Sequence, residues 1–163
     1  LGAPSDARRL EDVVAGYLGD RIPGRPMLLS QPGRRYTDVS VRSDALMNAV
    51  SLINLKSVAA LADAIGRPVD PLRFRGNVVF DGDAAWEELD WVDRTLRIGG
   101  AVVKGVRRTR RCAATNVDPV TAVRDLDIPS TLLRTQRHAD LGVYVEVIEG
   151  GRIAPGDRLE VIG

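Results

Sequence analysis

At 163 residues the chain is long enough for one ordinary domain with a sizeable core. A formal net charge of +1 removes any general electrostatic case for nucleic acid or an anionic surface, and aromatics at 4% leave little to stack on bases. One cysteine, Cys112, excludes an internal disulfide and suits a reducing, cytoplasmic setting. No apolar run approaches the roughly 20 residues that cross a bilayer, and no signal-peptide pattern is visible, so no membrane role is expected. The chain opens on Leu1 rather than Met, which leaves room for residues upstream.

Residues 6–18 place Leu10, Val13, Val14, Tyr17 and Leu18 at helical spacing, which predicts an amphipathic helix stopped by Gly19. Residues 25–30 predict a short strand, and residues 31–38, with their turn chemistry, a surface loop. Residues 50–53 predict another strand. Asn54 then has the chemistry of an N-cap, and Leu55, Val58, Ala59, Ala62 and Ile65 form one face of a helix ended by Gly66 and Pro68. Residues 73–80 read as a strand entering the Asp81-Gly82 turn. Residues 95–98 and 101–106 predict a hairpin about Gly99-Gly100. Residues 111–117 read as a strand end or loop leading into Asp118-Pro119. Ser130 is expected to cap a short helix reaching about Gln136, and residues 142–148 and 158–162 are the final strands. The fold class expected is α+β, predominantly β: a closed or half-closed barrel with a few helices outside it. No repeat or linker breaks the chain, which reads as a single domain with residues 1–37 as a short extension.

The chemistry concentrates before Cys112. Arg107, Arg108, Arg110 and Arg111 precede it closely. A thiolate is a soft metal ligand, and guanidinium forks grip phosphate-like anions in a bidentate way. Two of these cations aimed at the sulfur would favour its thiolate form. The plainer alternative makes Cys112 a small buried hydrophobe and the arginines a solvated strand face. His138, beside Arg137 and Asp140, has the bland reading of a loop residue. Trp86, Leu89 and Trp91 read as core, and Glu87, Glu88, Asp90 and Asp93 as a solvated acidic face. No Gly-rich phosphate loop, nucleophile elbow or zinc spacing occurs.

A series of motifs changes the weight of these readings. Phe74-Arg75-Gly76-Asn77, Glu88-Leu-Asp-Trp91, Leu96-Arg-Ile-Gly99, Arg111-Cys112, Thr115-Asn-Val-Asp-Pro119, Leu141-Gly142-Val-Tyr144 and Ile153-x-x-Gly156-Asp157 follow one another in order. The series resembles the MOSC domain family, especially its branch with the mitochondrial amidoxime-reducing components, over residues 38–163. The resemblance implies a molybdenum cofactor of the molybdopterin type, with Cys112 as metal ligand and catalytic residue. It also implies Arg75, Asn77, Arg110, Arg111, Thr115 and Tyr144 around that cofactor. The left-open alternatives are a β-bulge role for Asn77, a turn-holding role for Thr115 and a core role for Tyr144.

Two departures stand out. The family's proline between Arg75 and Asn77 is Gly76, which loosens the backbone, and its glycine after Thr121 is Ala122, which would be strained if the turn needs positive φ. Full-length relatives carry an additional N-terminal β domain, whereas the N-terminal portion here is short. The function expected from the resemblance is reduction of small N-hydroxylated substrates by oxygen-atom transfer at molybdenum. Electrons would then come from a donor protein or domain, because no flavin or nicotinamide motif is present. The alternatives are a sulfur or cofactor carrier, and a binding module that keeps the fold without the cofactor.

Overall fold

The computed structural model describes residues 4–29 and 44–163. Internal contacts divide the chain into Leu1–Tyr36 and Thr37–Gly163. In the first unit, helix α1 spans Pro4–Leu18, as its periodicity predicts, and a 3₁₀ turn at Gly19–Arg21 follows. Residues 25–29 form no regular element and join no sheet, so the strand expected there does not form over the described residues. Their links run back to α1 instead: the Leu28 amide donates to Glu11 Oε1 at 2.8 Å, and Arg25 pairs with Asp12. Ser30 and the expected 31–38 loop lie outside the described residues.

The second unit is built on a six-stranded mixed sheet that curls into a half-barrel, with helices on its outside. Its strands are β1 (Val50–Asn54), β2 (Val78–Phe80), β3 (Thr95–Ile98), β4 (Ala101–Arg110), β5 (Asp140–Glu149) and β6 (Leu159–Val161). Their order is β2-β1-β5-β4-β3-β6, with only the β1–β2 pair parallel. Helices α2 (Asp44–Met47), α3 (Leu55–Ile65) and α4 (Ile128–Gln136) complete the unit. The α3 boundaries follow from its caps. Asn54 Oδ1 accepts from the Lys56 amide at 2.9 Å, and Gly66 closes the helix at φ 77. Helix α4 begins two residues before Ser130, because Pro129 suits its first turn.

The sheet separates two cores. Leu52, Trp91, Leu96, Ile98, Val103, Val143 and Val145 fill the concave side. On the other side Ile53, Val58, Leu61, Phe74, Ile128, Leu132 and Leu141 seat α3 and α4 against it. Each of these large side chains contributes about 1.5–3 kcal/mol by leaving water. Trp91 stacks near Phe80 with ring centroids 5.2 Å apart, and Trp86 leans on the helix-side core, in keeping with the structural reading of both.

Two expectations are corrected. Residues 73–80 are not one strand: a 3₁₀ turn occupies Pro71–Phe74, and Arg75, at φ 51, reverses the chain before the short β2. Nor is Glu88 on a solvated face. It is wholly buried, accepting from Asn54 Nδ2 at 3.0 Å, Ser57 Oγ at 2.8 Å and the Gly142 amide at 3.2 Å. Those three donors satisfy a carboxylate that burial would otherwise penalise heavily. Asp90 and Asp93, two and five residues on, are exposed as expected.

Candidate functional site

Cys112 closes the extended end of β4 and caps a 3₁₀ turn at Ala113–Asn116. It is exposed, so the buried-hydrophobe reading of this residue is overturned. Thr115 holds the turn: its amide and its Oγ1 donate to the Cys112 carbonyl at 3.1 and 2.8 Å. The Thr115 side chain is itself buried, with its hydroxyl proton committed to that carbonyl.

Arg111 anchors the sulfur-bearing loop from beneath. Its Nε donates to the Leu141 carbonyl at 2.7 Å and its Nη1 to the Phe74 carbonyl at 3.1 Å. Nη2 also donates to Leu141, and the guanidinium lies 5.3 Å from the centroid of the Phe74 ring. Burial pulls its pKa down to about 10, against the raising influence of Tyr144, Cys112, Glu88 and Asp140; it remains a cation at neutral pH. Its donors are therefore turned to main-chain carbonyls. The Arg111–Phe74 bond has a second consequence. Cys112 and Arg75 each follow one of its partners directly in sequence, so the bond ties the end of β4 to the Arg75 reversal.

A row of side chains crosses the sheet nearby. Ser51 is registered with Tyr144, and Tyr144 with Arg107. Asn77 adjoins Ser51, giving its Oδ1 as acceptor to the Ser51 amide at 2.9 Å and the Ser51 hydroxyl at 2.8 Å. The Asn77 amide in turn donates to the Ser51 carbonyl at 3.0 Å. Neighbours in register share a face of the sheet, so Asn77, Ser51, Tyr144 and Arg107 project together. Asn77 thus spends its carbonyl oxygen on Ser51 of β1, while Tyr144 is half-buried. Arg75, Arg107 and Arg110 are exposed, and none has a carboxylate partner among the described residues. Arg108 does: it meets Asp90 at 3.3 Å and donates to the Leu89 carbonyl at 2.7 Å.

Sequence reasoning had set Arg107 within a cluster but not in this row, and had missed Ser51. Strand register, with its shifts between Gly105 and Arg107 and between Arg108 and Arg110, decides which arginines face which way. His138 accepts from the Asp140 amide at 3.1 Å, which is a local structural bond. Among the described residues no three His, Cys, Asp or Glu side chains converge as a metal site, so a metal here would take its protein ligand from Cys112.

Both departures from the family pattern have a structural expression. A side chain at Gly76 would put its Cβ 2.3 Å from Ile53 Cγ1, so close packing, rather than looseness, is what glycine serves there. Ala122 does adopt φ 57, at the end of a turn in which Asp118 Oδ1 accepts from the Val120 and Thr121 amides at 3.0 and 2.7 Å. Behind that turn lies buried Arg73, 3.1 Å from Asp118 and 2.8 Å from Asp125.

The second unit is thus a six-stranded half-barrel with an exposed thiol, Cys112, just past the end of β4 and with exposed Arg107 and Arg110, which no carboxylate of the described residues meets, on that strand. Residues 37–160 match the family model described as MOSC domain, and the chain belongs to that family. Over 120 residues it is 31% identical to the mitochondrial amidoxime reducing component 2 of Bos taurus, covering 66% of this chain and 35% of that protein. Over 140 residues it is 29% identical to the molybdenum cofactor sulfurase of Drosophila erecta, covering 82% of this chain and 17% of the relative. The chain thus spans about a third or less of the length of the relatives it matches. In fold it is similar to YiiM from Geobacillus stearothermophilus, with a TM-score of 0.54 and 20% identity, over 70% of this chain and 54% of the other.

Proposed function

We propose that this domain binds a molybdenum cofactor through Cys112 and supports reduction of small N-hydroxylated substrates such as amidoximes. One observation carries the reading: an exposed thiol, held on a fixed turn, ends a strand whose exposed Arg107 and Arg110 no carboxylate of the described residues neutralises. The donor set fits the group. A soft thiolate suits a metal that also accepts dithiolene sulfur, and free arginine forks suit its phosphate. Cys112 would be the protein ligand. Arg75, Arg107 and Arg110 would grip the anionic part, with Asn77 Nδ2 and Tyr144 beside them.

Bound there, the group would supply an oxygen-atom acceptor that cycles between two oxidation states. The chain's own task is positional. Thr115 and Arg111 fix the Cys112 carbonyl and the preceding turn, so the sulfur is presented without reorganisation. Electrons would arrive from a donor protein or domain. An unpaired surface thiol suits a reducing compartment, and we place the domain in the cytoplasm.

The deciding experiment is elemental analysis of protein from a cofactor-competent host, with Cys112→Ser beside it. Near-stoichiometric molybdenum that falls in the mutant supports the reading. Molybdenum retained by Cys112→Ser, or absent from both, refutes it. The exposure of Cys112 also favours a second reading, a carrier whose thiolate attacks the outer sulfur of a donor persulfide and keeps it as its own persulfide while the donor leaves as a thiolate. Intact mass after incubation with a sulfur donor distinguishes it, since one added sulfur that Cys112→Ser abolishes belongs to the carrier alone.

A further inference from the structure

The half-barrel is open along one seam, bounded by the outer edges of β2 and β6. No strand among the described residues pairs with either edge. Between them lies a cleft of about 1180 Å³, floored by Phe80, Trp91 and Ile98 and walled by β2, β6 and the 153–158 loop. Val79 and Val161, on the two edges, are 45% and 42% exposed. Exposed apolar edges with unused main-chain donors and acceptors are templates for strand addition.

The topology specifies how a strand would enter. β2 runs parallel to β1, and each successive pair from β1 through β5, β4 and β3 to β6 is antiparallel. β2 and β6 therefore run in the same direction. Direct pairing across the seam would be parallel, whereas one inserted strand of opposite sense makes antiparallel ladders on both sides. The lining also has a sign. Asp81, Asp83, Glu87, Asp157 and Glu160 face a single base, Arg158, which is already paired with Glu160 at 3.0 Å. Asp81 is met by Lys56 at 3.4 Å, while the Asp83 carboxylate has no partner among the described residues.

We infer that this seam is a docking site for an extended, cationic segment of a partner protein, which enters antiparallel to β2 and β6 and closes the barrel. Alternate apolar side chains of the segment would meet Phe80, Trp91 and Ile98, and its basic side chains would meet the acidic rim. Asn77 lines the cleft and also adjoins Ser51 in the row bearing Tyr144, but the segment would be held by the main chain of β2 and β6 and by the acidic rim, so its binding does not require the cofactor.

The test titrates the full chain with a short capped peptide of alternating valine and lysine, following tryptophan fluorescence and amide hydrogen exchange. Saturable binding with new protection at residues 78–80 and 159–161 is expected. An Asp81→Lys, Asp83→Lys double variant should bind about tenfold more weakly, and an alternating valine–glutamate peptide should not bind. N-methylation of the valine–lysine peptide on alternate residues should abolish binding, because the ladders need its amides. Equal binding of the N-methylated peptide, equal binding of the acidic peptide, or protection elsewhere overturns the inference. A dimer of the chain alone that protects the same amides overturns it in favour of a second copy.

Discussion

Glu88 offers the sharpest test of how this fold is held. Its Oε2 accepts from Asn54 Nδ2 and Ser57 Oγ, and its Oε1 from the Gly142 amide, all without solvent. Glu88→Gln keeps the shape and converts one acceptor into a donor. If the amide oxygen stays toward Asn54 and Ser57, the new NH₂ faces the Gly142 N–H, and a buried donor is left unsatisfied. That costs about 1–3 kcal/mol, and the opposite rotamer strands two donors instead. Glu88→Ala strands all three and leaves a cavity, for a loss of about 4–6 kcal/mol. With a urea m-value of about 1–3 kcal/mol/M, the glutamine variant should lower the unfolding midpoint by roughly 1 M. Trp86, whose amide donates to Ser57 Oγ at 2.7 Å, reports on the same network by fluorescence. Asp93→Asn, at an exposed carboxylate of the same acidic run, should leave stability within about 0.5 kcal/mol of the parent. A Glu88→Gln protein that unfolds at the parent's midpoint would refute the argument.

Four further predictions follow from the site. Arg111→Ala should lower stability by about 3–5 kcal/mol in urea unfolding, since it strands the Leu141 and Phe74 carbonyls. Arg110→Ala, at an exposed and unpaired position, should leave stability unchanged but reduce molybdenum retention. Asp118 and Asp125 are both held below the ordinary aspartate range, Asp118 first by Thr121's bonds and Asp125 first by Arg73. Because the unfolded chain binds those protons more readily, their stabilisation is present above about pH 4 and is lost as pH falls through their folded values. The acid limb of Tm against pH should flatten in Asp118→Asn and Asp125→Asn, and an unchanged limb counts against it. Ala122→Gly should raise stability by about 0.5–1 kcal/mol by calorimetry, relieving a left-handed alanine.

Much was legible in local signals. The Asn54 cap, the Gly66 stop, the Gly99-Gly100 hairpin and the final strands are set by neighbours in sequence, and each forms where it is expected. The motif series likewise pointed to the family. Other features depend on partners distant along the chain. Phe74 and Arg75 carry strand-like composition, but the Arg73 bonds to Asn116 and Asp118 favour a 3₁₀ turn there. Nothing near Glu88 in sequence distinguishes it from Asp90, because the donors that allow its burial come from residues 54, 57 and 142.

The same division holds at the site. A thiol and four arginines are visible as composition, but which arginine stays free is not. Arg108 and Arg111 turn to carbonyls at Leu89, Leu141 and Phe74, while Arg107 shares a row with Tyr144 and Ser51. That sorting is made by bulges in the β4–β5 ladder, where one extra residue sends a side chain to the opposite face. Residue type and order therefore determined the family, the locally capped elements and the chemistry available. Only tertiary register decided which groups face solvent and which are consumed as scaffold, because burial and hydrogen-bond satisfaction are properties of pairs far apart in the chain.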